Sequence, residues 1–397
     1  MKVISGNSRV VRNINRGVIL NLIRTQQPIS RAQLAKVTGL NKSTVSSIVA
    51  ELLEEEILEE KLVSDQSIGR NPFALTIKKG KHLVGAINID STLTHFAIVD
   101  VDGEFLCTSV LETKTGDYQT FFETCLNHLK DIAEKGRVSL WGIGVSVTGI
   151  VDPEKMLVKY SPNLAWENVN LGEIIKKKFP FLNAVAVGND AKASALAEQW
   201  FGKPGIPLSN FVFISIGGGL GSGVVIDNKI LEGESHGSGE FGHMVLLEGG
   251  EKCSCGNYGC WETYASDKAT VRRFLGDSGI TPGGSVDELM EKTIELAKQN
   301  NEKAVNALKL TGYYLGLGIT NIIKSIDPNA IIIGGRIIEG WDIIYPEIMK
   351  VVKERAFLSY MEKKAEILPT SLTVRPHLLG AATLAVKLLF NDYKITV

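Results

Sequence analysis

The N-terminal part of the chain places apolar side chains at the spacing of short helices. Apolar residues at positions 18, 19, 22 and 23 fall on one face of a helix over 16–24, which Pro28 ends. Ser30 starts a second helix, where Ser30 and Gln33 form a capping box, and Gly39 ends that helix. The pattern therefore predicts two helices separated by a break at proline.

A third helix follows, and Asn41 is placed to cap it. Its apolar positions form one buried face and are Val45, Ile48, Val49, Leu52 and Leu53. Two short helices joined by a tight glycine turn make a helix-turn-helix. Alternating apolar runs at 58–63 and 73–77 then predict a hairpin with Arg70 at its tip, which is the wing of a winged helix.

Beyond residue 79 the pattern changes to buried strands that alternate with helices. Strands are predicted over 83–90, over 95–100, over 141–151 with its end marked by Thr148-Gly149, and from 330 to its end at Gly334-Gly335. A strand followed by a helix is predicted over 185–202, two strands around a glycine turn over 211–226, and helices over 312–328 and 378–390. This alternation, in two similar halves, indicates an α/β architecture. We divide the chain into an N-terminal winged helix-turn-helix over 1–78 and a body over 79–397.

Charge is distributed unevenly along the chain. The net charge of the 397 residues is only −1, from 43 Lys and Arg against 44 Asp and Glu. Residues 1–50, however, contain no Asp or Glu, and their basic residues are Lys2, Arg9, Arg12, Arg16, Arg24, Arg31, Lys36 and Lys42. A basic N-terminal module on a near-neutral body is typical of proteins that bind nucleic acid.

The exposed start of the third helix carries short polar side chains that suit base edges and phosphates in a major groove. An arginine at a wing tip can enter the adjacent minor groove. The predicted contacts to double-stranded DNA are Arg31, Lys42, Ser43, Thr44, Ser46, Ser47 and Arg70. The alternative is a solvated face on a purely structural helical bundle, and the absence of acid favours DNA binding.

Three of the five cysteines fall close together, with a histidine upstream. They are Cys253, Cys255 and Cys260, and the histidine is His243. Three thiolates and an imidazole can close a tetrahedral structural zinc site. The alternative is three buried free thiols, but thiols spaced this closely by glycines are hard to bury independently. Glu240 and Glu262 flank the cluster, and a bound metal would hold both carboxylates in place.

Composition indicates the cellular compartment in which we expect the protein. The chain is 44% hydrophobic and 22% charged, which is ordinary for a globular protein with a full core. No apolar run approaches the roughly 20 residues of a membrane span, and the N-terminus lacks the apolar block of a signal peptide. Because a zinc cluster also fits a reducing compartment better than a disulfide framework does, we expect a cytoplasmic protein.

The sequence GEFGH at 239–243, followed by CSCGNYGCWE at 253–262, resembles the ROK family of repressors, open reading frames and sugar kinases. The resemblance implies a two-lobed actin-like sugar-kinase fold behind the winged helix, with the zinc shaping a sugar pocket between the lobes. The segment at 29–49 is similar to the DNA-binding helices of the xylose-repressor branch, which the sugar kinases of the family lack.

The same resemblance implies a set of sugar ligands. The side chains that match the family's sugar-binding positions are Asn163, Asn189, Asp190, Glu240, His243 and Glu262. In the kinases of the family, the aspartate at the position of Asp190 is the base that deprotonates the sugar hydroxyl. An Asn-Asp pair at the start of a helix can instead be only a helix cap, and we expect Asp190 to serve both as cap and as sugar ligand.

The phosphate-binding loop of the family's kinases reads Asp-x-Gly-Gly-Thr-Lys. This chain has Asn88, Asp90, Ser91, Thr92 and Leu93 at the corresponding positions, so only the threonine is retained. A second family motif, Gly-Thr-Gly, is Gly217-Gly218-Gly219 here. Because phosphates require bare backbone N–H groups and positive charge, the sequence predicts no ATP binding and no kinase activity.

The sequence therefore predicts a sugar-responsive transcriptional repressor. We expect a homodimer that binds palindromic operator DNA, with a small sugar in the cleft that changes DNA affinity. Xylose is the best candidate, from the similarity to the xylose-repressor branch. Two alternatives remain: a ROK-type sugar kinase with an accessory DNA-binding domain, and a zinc-stabilised scaffold without a ligand.

Overall fold

The N-terminal part of the structure is the predicted winged helix. The computed structural model describes residues 8–62, 73–203, 205–276, 285–355, 365–372 and 375–390. The elements of the first part are α1 (Ser8–Gln26), α2 (Arg31–Thr38), α3 (Lys42–Glu54), β1 (Leu58–Leu62) and β2 (Phe73–Ile77). β1 and β2 pair antiparallel, as predicted for the wing. Arg70, predicted at the wing tip, lies outside the described residues.

The predicted helix caps are confirmed. Ser30 Oγ accepts a hydrogen bond from the Gln33 amide at 3.2 Å, and Gln33 Oε1 accepts one from the Ser30 amide at 2.8 Å. Gly39 ends α2 with a φ of 70°, a left-handed conformation that favours glycine. Asn41 caps α3 by accepting from the Thr44 amide at 2.7 Å. These local signals fix the turn between α2 and α3.

The first lobe is built on a sheet of strand order β10-β6-β3-β4-β5. Its strands are β3 (Leu83–Ile89), β4 (Leu93–Val99), β5 (Phe105–Glu112), β6 (Leu140–Val147) and β10 (Ala184–Asn189). A small antiparallel sheet of β7 (Ile150–Asp152), β8 (Leu157–Ser161) and β9 (Trp166–Asn170) and the helices α4 (Tyr118–Lys135) and α5 (Leu171–Lys178) complete the lobe.

The second lobe repeats this plan, with the order β13-β12-β11-β14-β15. Its strands are β11 (Phe211–Ile216), β12 (Leu220–Ile226), β13 (Lys229–Ile230), β14 (Ala330–Gly334) and β15 (Glu366–Pro369). Its helices are α7 (Glu262–Ala265), α8 (Asp267–Leu275), α9 (Val286–Lys298), α10 (Glu302–Ile326) and α11 (Trp341–Arg355). In each lobe an antiparallel run of three strands joins parallel strands, which confirms the predicted two-lobed α/β architecture.

Two helices, α6 (Asp190–Phe201) and α12 (Pro376–Phe390), connect the lobes. Small residues let them approach neighbouring backbone closely. A Cβ placed on Gly144 of β6 would come within 1.8 Å of the Ala381 carbonyl oxygen of α12, and one on Gly223 of β12 within 2.7 Å of the Ala195 Cβ of α6. The last helix thus returns to the first lobe, as predicted.

One predicted strand is wrong in extent. The run at 141–151 is not one strand but two, β6 and β7, separated by a turn. Gly149 lies in that turn with a φ of 112°, and a Cβ there would meet the Tyr160 carbonyl oxygen at 2.4 Å. Gly149 therefore allows the chain to turn at a point where the apolar residues on both sides suggest one continuous strand. The first helix also extends beyond the predicted 16–24.

The hydrophobic core does not stop at the end of the winged helix. Ile19 and Ile23 of α1 and Ile48 of α3 belong to the same buried cluster as Ala385 and Phe390 of α12. The winged helix is therefore packed directly on the body through α1. Across the described residues, no helix combines the length and the apolar character needed to cross a bilayer.

Candidate metal centre, effector cleft and DNA interface

His243, Cys253, Cys255 and Cys260 come together at one end of the second lobe. One potential ligand atom from each lies within 4.8 Å of all the others. His243 Nδ1 is 3.5 Å from Cys253 Sγ, and Cys255 Sγ is 3.7 Å from Cys260 Sγ. Tight glycine turns bring them together, since Gly256 and Gly259 have φ values of 92° and 73°.

These separations match a tetrahedral zinc site. With Zn–S bonds of about 2.3 Å and Zn–N bonds of about 2.0–2.1 Å, tetrahedral angles place two sulfurs about 3.8 Å apart and sulfur and nitrogen about 3.6 Å apart. The chemistry of the donor set, three sulfurs and one imidazole nitrogen, also favours zinc over magnesium or calcium. The cluster can therefore hold a metal ion, with His243 contributing Nδ1.

The two glutamates beside the cluster are placed differently. Glu262 begins α7, and its Oε1 accepts a hydrogen bond from the Cys253 thiol at 2.9 Å and lies 3.7 Å from His243 Nδ1. Its Oε2 accepts one from the Leu220 amide at 3.4 Å. Glu240 is exposed, with Oε2 4.0 Å from His243 Nε2. The imidazole thus offers one nitrogen to the metal and turns the other towards Glu240.

Asn189 and Asp190 lie where β10 passes into α6. Asn189 caps the helix, because its Oδ1 accepts from the Lys192 amide at 3.0 Å, while its Nδ2 donates to the Gly149 carbonyl at 3.0 Å. Asp190 is the first helical residue, and its Oδ1 accepts from the Ala191 amide at 2.8 Å. The expectation that Asp190 caps the helix is therefore wrong. Capping by Asn189 leaves Asp190 free of that role.

The carboxylates of the cleft influence one another electrostatically. Burial, followed by repulsion from Asp90, raises the pKa of Asp190 against an opposing effect of His377. The pKa of Glu240 is also raised, chiefly because its carboxylate loses part of its hydration although the side chain is 43% exposed; Asp190 and Glu262 add to the rise and His243 opposes it. The predicted sugar ligands Asp190, Glu240 and Glu262 are therefore near enough for their charges to interact. Such a set of acceptors suits the hydroxyl groups of a neutral sugar.

Asn163 is less closely connected to this group. It lies in the turn between β8 and β9, and its side chain is exposed. Within the described part of the chain, no hydrogen bond joins it to the other predicted ligands. The Gly149 turn contacts both the end of β8, two residues before Asn163, and the side chain of Asn189.

Lys192 belongs to the site but was missed by sequence reasoning. It is buried in the first turn of α6, and its Nζ donates to Glu232 Oε2 at 2.7 Å and to the His236 carbonyl at 3.0 Å. The ammonium therefore holds the segment that leads to Glu240. A lysine among the mostly small residues of 190–197 is unusual and could have indicated a buried, paired side chain. The sequence alone does not identify its partners.

His377, at the start of α12, joins both lobes beneath the cleft. Its ring makes hydrogen bonds with Ser194 Oγ of α6 at 2.9 Å and Ser215 Oγ of β11 at 2.8 Å. Its carbonyl accepts from Ser146 Oγ at 2.9 Å, and Ser146 in turn accepts from Asn88 Nδ2 at 3.0 Å. Asn88, the residue in place of the kinase aspartate, is thus part of an internal network.

Acidic groups flank the glycine turn at 217–219. The amide of Asp267, the first residue of α8, donates to the Gly217 carbonyl at 2.9 Å. The Asp267 side chain is 1% exposed, and among the described residues its Oδ1 has no hydrogen-bond partner. Burial raises the pKa of Asp267 to about 8. Glu262 lies on the same turn, since a Cβ placed on Gly219 would be 2.9 Å from Glu262 Oε2.

The start of α3 is exposed as predicted for a DNA-binding helix, with Lys42, Ser43, Ser46 and Ser47 at the surface and Thr44 half-buried. Two predicted contacts already have protein partners. Ser47 Oγ accepts from Arg12 Nη2 at 2.9 Å, and Arg31 pairs with Glu60 of β1 at 2.8 Å. The basic character of the module is thereby reduced, since Arg12 also pairs with Glu51 of α3 and Arg16 pairs with Glu55, the residue just after α3.

Comparison with known proteins adds two family matches. The model of the ROK family matches residues 84–387, and that of the MarR family matches residues 13–61. A xylose repressor from Bacillus spizizenii is 34% identical over 381 residues, which cover 95% of this chain and 96% of that protein.

Two solved structures resemble the fold. A ROK family transcriptional regulator, a homologue of the E. coli MLC protein, has a TM-score of 0.81 at 28% identity, with 96% of this chain and 97% of that chain covered. A ROK family glucokinase from Streptomyces griseus, in complex with glucose and AMPPNP, has a TM-score of 0.68 at 28% identity. The superposition covers 77% of this chain and 99% of the glucokinase chain.

Proposed function

The chain belongs to the ROK family, and we propose that it is a transcriptional repressor whose affinity for operator DNA changes when a sugar binds. The observation that carries this proposal is that the winged helix and the body share one hydrophobic core, against which the last turn of α6 packs, while Asp190 stands in the first turn of the same helix. The similarity to a xylose repressor over 95% of the chain supports the same conclusion.

The sugar in this proposal is xylose, from the name of that relative. The proposed ligands are the predicted set Asn163, Asn189, Asp190, Glu240, His243 and Glu262. The carboxylates accept hydrogen bonds from sugar hydroxyls, and His243 Nε2 reaches the sugar while Nδ1 faces the metal. Asn189 retains one N–H and one lone pair beyond its two backbone hydrogen bonds, so it can still contact a hydroxyl.

The metal in this proposal is one structural zinc ion per chain, held by His243, Cys253, Cys255 and Cys260. Bound zinc would add folding energy and fix the segment between the ligands. The bound zinc would then fix the orientation of Glu262 and His243 towards the proposed sugar. The support for zinc is the donor set and the match of the separations between ligand atoms to tetrahedral geometry.

The proposed protein does not phosphorylate its sugar. The support is the acid at Asp90, the leucine in place of the kinase lysine, and the use of Asn88 in the internal network with Ser146. We also propose that the protein acts in the cytoplasm as a homodimer, because a helix-turn-helix dimer matches the symmetry of a palindromic operator.

A direct experiment tests the proposal. A duplex selected from a random library on the wild-type protein serves as the operator, and its binding is followed by fluorescence anisotropy. Titration with a panel of pentoses and hexoses should change the affinity, with xylose acting at the lowest concentration. A coupled ATPase assay with the same sugars should show no turnover; turnover near the 1–10³ s⁻¹ usual for enzymes would favour a kinase instead.

A further inference from the structure

Helix α6 runs from the proposed sugar site to the winged helix. Asp190 is its first residue and Phe201 its last, so its 12 residues span about 18 Å at 1.5 Å per residue. At one end Asp190 and Lys192 face the cleft. At the other end Trp200 and Phe201 pack against the cluster that contains the core of the winged helix.

The helix is held tightly along its length. Cβ atoms on Gly221 and Gly223 of β12 would come within 2.9 and 2.7 Å of Ala191 and Ala195 Cβ, so sheet and helix are in close backbone contact. In the last turn, the buried Glu198 accepts hydrogen bonds from the Ser371 amide at 3.1 Å and Ser371 Oγ at 2.6 Å. Because close-packed elements shift as units, a displacement of the first turn reaches the last turn.

Arg24 of α1 meets the C-terminal end of α6. Its Nη1 donates to the Trp200 carbonyl at 2.7 Å, and its guanidinium lies 4.3 Å from the centre of the Trp200 ring. The last carbonyls of a helix lack partners within it and carry partial negative charge, so a cation is favourable there. Burial lowers the pKa of Arg24 to about 10, which leaves it charged at neutral pH.

From α1 the path continues to the DNA-binding helix. On the same helix as Arg24, Arg12 pairs with Glu51 of α3 and Arg16 pairs with Glu55, which caps the end of α3. The buried Ile19 and Ile48 add an apolar contact between α1 and α3. A shift of α1 relative to α6 is therefore also a shift of α3 relative to the body.

We propose that Arg24 is the positioning residue that couples the sugar site to operator binding, by fixing α1 and with it α3 to the C-terminal end of α6. This inference rests on the proposed function. Sugar binding at Asp190 biases the position of α6, and the contact of Arg24 with Trp200 transmits that position to the winged helix. A sugar can shift operator binding only by its own preference between the two arrangements, typically about 5- to 150-fold.

The test uses the full-length protein, the selected operator duplex and D-xylose. The measured quantity is the factor by which saturating xylose changes the operator Kd. Arg24→Met keeps much of the side-chain volume and removes the charge and the hydrogen bond. It is expected to bring this factor close to one while the xylose Kd of the DNA-free protein, from calorimetry, stays within about twofold of wild type, because coupling and intrinsic affinity are separable.

Arg355→Met is the matched control, since Arg355 is an exposed arginine at the end of α11 and lies outside the path from α6 to α3. It should leave the operator Kd, and the factor by which xylose changes it, within about twofold of wild type. Arg24→Lys keeps the charge without the flat stacking surface and should give an intermediate factor. If the melting curve shows that Arg24→Met does not fold, the factor measured for Arg24→Lys is used to test the role of Arg24.

The outcomes separate the two levels of the account. If xylose changes operator binding equally in wild type and in the folded Arg24→Met protein, the role of Arg24 is wrong and the proposed function stands. If Arg24→Met does not fold, the same conclusion follows when xylose changes the operator Kd of the folded Arg24→Lys protein by the full wild-type factor. If no sugar changes operator binding by the wild-type protein, the proposed function is wrong and this inference with it.

Discussion

Asp190 stands at the start of α6, where burial and the nearby Asp90 raise its pKa. Substitution by Asn keeps the side-chain volume and removes the charged acceptor, and the cap remains because Asn189 supplies it. A hydrogen bond to a charged group contributes about 1.5–3 kcal/mol, so Asp190→Asn should require about tenfold more xylose or above for a half-maximal response. Operator affinity without sugar should be near normal.

The control for this variant is Asp227→Asn, since Asp227 lies exposed in the turn after β12. Anisotropy titrations of both variants with xylose are the measurement. A response of Asp190→Asn at the wild-type concentration of xylose would place the sugar outside this cleft.

Cys255 tests the metal centre. Its Sγ is 3.7 Å from Cys260 Sγ, and loss of one of the four ligands should open the site. Cys255→Ser should lose zinc by elemental analysis and melt roughly 5 °C or more below wild type, because structural zinc contributes folding energy. Cys107→Ser, in β5 and away from the cluster, is the control. A wild-type protein without metal and a Cys255→Ser protein of equal stability would contradict the zinc proposal.

Asp267 makes stability depend on pH. Its pKa is raised to about 8 in the folded chain, against an ordinary value of about 3.9 in the unfolded chain. Between these values the folded chain keeps a proton that the unfolded chain has lost, so the free energy of unfolding falls as pH rises, by at most about 1.4 kcal/mol per pH unit. Asp267→Asn should flatten that fall in urea titrations between pH 5 and about 8. An unchanged pH profile would contradict the burial of an uncompensated acid.

At the scale of elements, α3 carries the proposed DNA contacts. Arg12, Arg16, Arg24 and Arg31 are engaged by the protein, whereas Lys42 is exposed at the start of α3. Each phosphate that the protein no longer neutralises lowers the slope of log affinity against log salt by about 0.9. Lys42→Ala should reduce the slope by about that amount, while Lys298→Ala, at the end of α9 in the second lobe, should not. An unchanged slope for Lys42→Ala would remove α3 from the interface.

The elements that sequence reasoning predicted well depend on local signals. The capping box at Ser30, the glycine turn at Gly39 and the alternation in β1 and β2 each act within a few residues, and each is confirmed. The strand predicted over 141–151 failed because apolar residues continue through the turn at Gly149. A hydrophobic pattern indicates which residues are buried but not where the chain turns. Here the strands on both sides of the turn are buried, so the pattern does not show the break.

Residues joined over long distances in the chain could not be predicted in this way. The pairing of Arg31 with Glu60 of the wing could not be predicted from nearby residues, and Asp190 was predicted as a cap although the backbone places Asn189 at that position. His377 reaches Ser194 and Ser215 only because α12 returns between the lobes. The sequence motif predicted correctly that His243, Cys253, Cys255 and Cys260 lie together, because three of the four are close in the chain.

For the whole molecule, the shared core is the consequential feature. Because α1 and α12 belong to one buried cluster, the winged helix is not a freely tethered domain. Removal of residues 1–78 would expose the apolar face of α12, so DNA binding is better tested with substitutions on α3 than with a truncated chain. In the proposed homodimer, the same continuity would let movement of the lobes change the separation of the two winged helices, and half-sites on DNA tolerate little change in spacing.

Linkage between sugar and operator is the central claim of this account, and a pair of titrations measures it most directly. The operator Kd is determined with and without saturating xylose, and the xylose Kd with and without saturating operator. Thermodynamic reciprocity requires the same factor in both, expected at about 5- to 150-fold, or about 1–3 kcal/mol. A factor of one in both titrations, with xylose and operator each bound, would contradict the account.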